Sequence, residues 1–406
     1  MELHAHHHTH THPHTHPATP RNHVAADDTL TTRRDFFRIL AGGALAGASV
    51  LELAYHRAAW ASAAAPTAAS NLFNLQKVAP GVFFAMAHPQ AQVNCNAAIF
   101  VRSKDVVVVD AHSKPSAAAS LIAQIKREVT TLPVRYVINT HFHWDHVQGN
   151  HAYRVAEGQV DFIATAATKK LMQDLSLQRL KESLDKVPAQ IDDLRQRAAH
   201  STSASEKAFC AGQIRQLQAY AAELKDFKLE LPTITFDDSY HLADPAFDLH
   251  LGFHGRAHTA GDVFVLCPQA RTLATGDASH GWLPFMHDCY PHQWPHTIDA
   301  VGKLDFKFNI GGHGPLQSDR TVMICQRNYI EELTARVEEA QKAGQPLAEM
   351  QKRITVASLK SMHSNAYEDF LNRTLTATNP HYGPMPPLQE GINENIADVL
   401  KNLDWA

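Results

Sequence analysis

The chain has 406 residues, with 37 Lys plus Arg against 41 Asp plus Glu and a formal net charge of −4. A hydrophobic share of 44% at this length is globular and fills a large core, and the near-balanced charge excludes a general basic field for nucleic acid or anionic lipid. Of 28 His, eight fall in the first sixteen residues and eighteen after Ala63. Five cysteines (Cys95, Cys210, Cys267, Cys289, Cys325) lie far apart with no C-x-x-C pair. That excludes a cysteine zinc finger, a thioredoxin-like motif and a disulfide-stapled scaffold, and leaves at least one free thiol beside at most an incidental disulfide.

Residues 1–63 read as a leader. The opening His/Thr/Pro tract buries no core and reads as a disordered, dispensable extension. Thr32-Arg33-Arg34-Asp35-Phe36-Phe37-Arg38, the Gly/Ala-rich run 39–51 and Ala61-Ser62-Ala63 resemble a bacterial twin-arginine (Tat) signal peptide with its cleavage site. The run is shorter than the ~20 residues that span a bilayer. The resemblance implies passage through the Tat translocase, a mature chain starting near Ala64 in the periplasm or outside the cell, and no stable membrane span after cleavage.

Strand-like runs open the mature chain at 82–86, 97–101 and 106–109. The last is four valines ending in Asp110, which reads as a strand buried on both faces. Pro115 opens a helix to about 129, and 134–139 is the next strand, followed at once by a His-rich loop: the grammar of an α/β layered domain. After a strand at 160–164, residues 166–228 carry apolar residues at helical spacing and almost no Gly. They read as two or three amphipathic helices inserted as a lid or dimer surface, which makes a homodimer one expectation. Strands return at 233–236, 248–253, 262–267 and 271–275. A helix at 293–303, a strand at 307–311 and a helix at 320–343 follow, and the last sixty residues read as helical around a Pro-rich bend at 379–387.

The strand at 134–139 runs into His141-Phe142-His143-Trp144-Asp145-His146, an H-x-H-x-D-H pattern. Alternation along extended chain turns His141 and His143 the same way, toward one metal, and a turn after Trp144 sends Asp145 and His146 toward a second. Imidazoles with a carboxylate suit Zn²⁺ or another borderline divalent ion, Fe or Mn included. Three further islands follow: His258 in a Gly-flanked turn, Asp277 in a strand-ending Thr-Gly-Asp, and His313 in Gly-Gly-His-Gly, where bulky neighbours would obstruct it.

In this order the motifs resemble those of the metallo-β-lactamase superfamily over roughly residues 72–318. The resemblance implies an α/β fold, an αβ/βα sandwich with a helical insertion and a helical C-terminal extension. That divides the chain into the leader 1–63, a metallo-β-lactamase-fold domain 64–318 and an extension 319–406. It implies His141, His143 and His258 on one metal, Asp145, His146 and His313 on a second, Asp277 between them, and Asp110 behind the ligands as an orienting group. It also implies an exported two-zinc hydrolase, in which a metal-bridging hydroxide attacks an ester, lactone, thioester, amide or phosphoester and Asp145 carries the proton. No G-x-S-x-G or P-loop competes with this.

Asp277 favours thioesterase, lactonase or phosphodiesterase chemistry over β-lactamase-type amide hydrolysis, which stays as an alternative. A mono-iron sulfur dioxygenase and a non-catalytic periplasmic metal-binding protein are the others. Trp144, Trp282, Phe285, Met286 and Tyr290 are candidates to line a pocket for a small-molecule substrate. His280, His287, His292 and His296 read as polar wall or surface, and Asn94-Cys95-Asn96 as a turn.

Overall fold

The structure, a computed structural model, describes residues 72–87, 94–377 and 388–405. The leader, the twin-arginine segment, the cleavage site and the Pro-rich bend lie outside the described residues.

Seven strands form a first sheet in sequence order: β1 (Phe73–Ala79), β2 (Val82–Ala87), β3 (Ala97–Val101), β4 (Val106–Val109), β5 (Val134–Ile138), β6 (Asp161–Thr165) and β7 (Ile234–Phe236). Pairing is antiparallel from β1 to β4 and parallel from β4 to β7. The second sheet runs β12 (Phe308–Gly311), β11 (Thr272–Gly276), β10 (Phe264–Cys267), β9 (Leu249–Gly252) and β8 (Ser239–Leu242), with only β11 and β12 parallel.

The four valines of β4 serve two cores. Val107 and Val109 meet Leu251, Val265 and Ile310 between the sheets, while Val106 and Val108 meet helix α1 (Pro115–Glu128) outside. Each such buried side chain contributes about 1.5–3 kcal/mol, so the strand is anchored from both faces. Pro115 opens α1 because its fixed φ suits a first turn, and Leu121, Ile122 and Ile125 form the face laid on the sheet. Beyond the second sheet, Phe264 and Leu273 share one cluster with α7 (Trp294–Val301), α8 (Thr321–Lys342), α9 (Leu347–Arg353), α10 (Lys360–His363), α11 (Tyr367–Ala377) and α12 (Leu388–Asn402). The layers are therefore α, β, β, α: the sandwich expected, with the C-terminal helices completing its outer layer.

Two short helices follow β5: α2 (Trp144–Val147) and α3 (Asn150–Glu157). The insertion comprises α4 (Ala166–Leu171), a π turn at Met172–Ser176, α5 (Leu177–His200) and α6 (Ala204–Leu224). Thr165 and Ser203 cap α4 and α6 by accepting from the Thr168 and Glu206 amides. Helix α5 continues through Pro188. Pro removes one backbone bond, and Val187 and Ile191, buried on either side, carry the helix across. Strands β1 and β8 were not expected from sequence; each is held by its neighbour's ladder more than by its own pattern. All five cysteines are free and buried, so the incidental disulfide is not formed.

Candidate metal centre

Parallel pairing places the ends of β4 and β5, and of β11 and β12, where the chain leaves the sheets. Asp110 follows β4, His141 to His146 follow β5, Asp277 follows β11 and His313 follows β12; His258 arrives on the turn before β10. All are buried. His141, His143 and His258 form one group whose ligand atoms lie within 4.8 Å of one another, and Asp145, His146 and His313 form another. Asp277 stands between them. Its Oδ2 is 3.3 Å from His313 Nε2, 3.7 Å from His258 Nε2 and 4.0 Å from His141 Nε2, and its Oδ1 is 3.4 Å from His146 Nε2. Asp145 Oδ2 lies 3.1 Å from His313 Nε2 and 3.5 Å from His146 Nε2.

Acceptors behind four of the rings decide which nitrogen faces inward. His146 donates from Nδ1 to Asp110 Oδ2 at 2.8 Å, and His258 from Nδ1 to the Phe285 carbonyl at 3.0 Å. Thr140 gives its hydroxyl proton to Asp110, so its oxygen accepts from His141 Nδ1 at 3.0 Å. His143 is reversed: Nε2 donates to Asp288 Oδ2 at 2.8 Å and Nδ1 turns inward, 2.9 Å from His258 Nε2. A ring whose outer nitrogen holds the proton presents a lone pair on the other. His141 Nε2, His146 Nε2 and Asp277 Oδ1 are buried with no hydrogen-bond partner. Nitrogen and carboxylate donors converging at one buried point suit zinc-like ions.

The electrostatics separate the two groups. Burial, then the charge of His146 and His143, holds His141 well below its usual range, and burial with His143 brings His258 down to about 3, so both are neutral. Against the same burial penalty the carboxylates of Asp145 and Asp277 raise His146 well above its usual range and His313 to about 9. Burial opposes ionisation of Asp277, but His313 and His146 outweigh it and keep the carboxyl well below the usual carboxylate range. Asp145 is lowered against the same penalty by His146 and His313.

The glycines of this edge are spatial requirements. A Cβ on Gly312 would stand 2.2 Å from Asp277 Oδ1 and 2.7 Å from His146 Cε1. Gly276 has φ +51°, and a Cβ there would stand 2.3 Å from Thr140 Oγ1. Asp110 itself has φ +69°, a left-handed backbone uncommon for a side-chain-bearing residue.

Among the pocket candidates, Trp282 stacks on His313, Phe285 lies edge-on to His143, and half-buried Trp144 packs against Tyr220 of α6. Two of these candidates lie elsewhere: Met286 is fully buried in the outer core, and Tyr290 sits under Arg256 and against Trp405. His280 is buried rather than on the surface, its ring 5.6 Å from that of His313 and its Nδ1 accepting from the Trp282 amide, whereas His292 and His296 are exposed and His287 pairs with Asp398. Asn96 is more than a turn: its amide side chain donates to the carbonyls of Gly311 and Gly314 and so holds the His313 loop. Thr140, Asp288 and Arg179 also bear on the centre and carried no motif signal. Arg179, from α5, donates two bonds to Asp288, at 2.7 and 2.8 Å.

Two further groupings have metal-ligand geometry. Cys95, Asp110 and His146 share a ring whose Nδ1 is already committed to Asp110. His241, Asp248 and His250 lie on the β8–β9 hairpin, the two histidines directly opposite and exposed.

A family model described as "Metallo-beta-lactamase superfamily" matches residues 91–313. Among solved structures, a metallo-beta-lactamase from Pontibacter korlensis is 18% identical at a TM-score of 0.45, covering 62% of this chain and 95% of its own. One from Hirschia baltica is 17% identical at 0.44, covering 64% and 97%. A stereoselective inverting sec-alkylsulfatase from Pseudomonas sp. is 16% identical at 0.56, covering 82% of this chain. This chain spans about half of that longer protein, 51%, and the likeness is one of fold.

Proposed function

The chain belongs to the metallo-β-lactamase superfamily and is a metal-dependent hydrolase; from that premise we propose that it is an exported two-zinc enzyme cleaving a small-molecule ester, lactone, thioester or phosphoester. One observation carries the reading: seven buried nitrogen and carboxylate donors converge in two groups joined by Asp277.

In this reading His141, His143 and His258 hold one ion, Asp145, His146 and His313 the other, and Asp277 both. Divalent ions so held supply a water acidic near neutral pH and a Lewis acid for the scissile group. The chain does the rest. Asp110, Thr140, Asp288 and the Phe285 carbonyl lock the rings in their ligand tautomers. Asp145, beside His146 and His313, takes the proton released by the attacking water and passes it to the leaving group. Trp282, Phe285 and Trp144 exclude water around the reacting group.

Export rests on the Arg33-Arg34 segment. No helix among the described residues is long and apolar enough to cross a membrane. The decisive experiment is zinc analysis of the mature protein with turnover measured on a lactone, a thioester, a phosphodiester, a secondary alkyl sulfate and a cephalosporin. His143→Ala and Asp145→Ala are expected to abolish turnover of whichever substrate is cleaved; unchanged activity in a metal-defined preparation refutes the assignment. One tightly held iron with oxygen uptake would instead select the dioxygenase alternative.

A further inference from the structure

One line of polar side chains runs from the helical insertion to His143. Arg179 of α5 holds both carboxylate oxygens of Asp288, and Asp288 Oδ2 accepts from His143 Nε2 at 2.8 Å. Asp288 is buried. The Arg179 guanidinium also lies over the Phe142 ring, 5.1 Å from its centroid. Phe142 sits between His141 and His143 and packs against Met172 of the π turn. The π turn thus falls between the residue that packs the ligand loop and the residue that reaches Asp288. From the other side α12 fixes the loop carrying Asp288: Asn395 donates to the Pro284 carbonyl, and Asn402 to the carbonyls of Met286 and His287.

We propose that Arg179 and Asp288 are positioning residues through which the insertion sets the affinity of the His141–His143–His258 metal position. The proposal rests on the two-metal reading above. Asp288 fixes the His143 tautomer, so that Nδ1 is the ligand atom, and raises its basicity. Arg179 holds both oxygens of Asp288 and so aims the one that faces His143. At the second position His146 is held by Asp110, and the insertion meets that stretch by packing on Trp144 and Val147 and by the Tyr220 hydroxyl donating to Gln148.

The test uses the full-length mature protein, stripped of metal and titrated with Zn²⁺ against a chromophoric chelator, then with Co²⁺ followed by absorption. Wild type is expected to take two tight equivalents. Asp288→Asn should weaken one of them by about 10–100-fold and leave the other intact. Arg179→Gln should weaken that same equivalent less, with Arg179→Lys partly restoring it. The double variant should be no worse than Asp288→Asn, because Arg179 acts through Asp288. The Co²⁺ spectrum of the affected equivalent should change. Lys181→Ala, on the exposed side of α5, serves as the control and should bind as wild type. Should Asp288→Asn not fold, judged by circular dichroism, the two Arg179 variants carry the comparison.

Variants that hold both equivalents as tightly as wild type, with an unchanged Co²⁺ spectrum, overturn the proposal. So does an equal loss from both positions. A wild type that takes up no metal overturns the two-metal reading beneath it, a distinct result.

Discussion

The indole of Trp282 lies flat on the imidazole of His313, with ring centroids 4.6 Å apart and planes 11° from parallel. His313 also faces two carboxylates, so stacking and charge together define where its Nε2 points. Trp282→Ala should destabilise the fold by about 3 kcal/mol, as large aromatic deletions do, and should loosen the metal equivalent that His313 serves. Trp282→Phe keeps a ring in place and should retain most of both. Urea unfolding and chelator competition on the two variants measure this.

Gly312→Ala is expected to cost turnover out of proportion to its size. The added Cβ would overlap Asp277 Oδ1, so the carboxylate or the His313 loop must move. A fall of at least about 100-fold in kcat/KM is expected, in line with the sensitivity of catalysis to ångström displacements, while far-ultraviolet circular dichroism stays unchanged. Gly158→Ala is the contrast. It has φ +74° with nothing within 4 Å of the added atom, so it should lose about 1 kcal/mol of stability and no activity.

Asp110→Asn tests the anchoring of His146. Asp110 accepts from the Thr140 amide and hydroxyl and from His146 Nδ1. An amide of the same shape has one oxygen and one donor, so one of these bonds turns repulsive. Affinity of the second metal position should fall by about 10–100-fold with the first left tighter. Equal retention of both metals would contradict the role given to this residue.

Chelation should abolish hydrolysis, and two equivalents of Zn²⁺ should restore it. At ligand concentrations of 100 times Kd each site adds about 2.7 kcal/mol to stability, so the apoprotein should melt well below the holoprotein by calorimetry. A third, weaker equivalent is expected at His241, Asp248 and His250; His241→Ala should remove it without altering turnover.

The centre was legible because its residues fall in short motifs at strand ends: alternation paired His141 with His143, whereas the family resemblance supplied the expectation that His258, Asp277 and His313 join them. The all-valine β4 announced burial on both faces. The contacts that orient the donors were not legible. Arg179 and Asp288 are 109 positions apart and Asn402 and Met286 are 116 apart, and charged or amide pairs at such separations leave no periodicity to read. The burial of His280, whose Nδ1 accepts from the Trp282 amide, was not legible in a loop that mixes polar and apolar residues.

The hydrogen bonds from Asn395 and Asn402 to the loop at Pro284–His287 also bear on what a shortened chain could do. In the two-metal reading, removing α12 would leave Arg179 as one hold on this loop and take away the three bonds from Asn395 and Asn402. A chain cut before α12 should therefore bind metal at the His141–His143–His258 position more weakly.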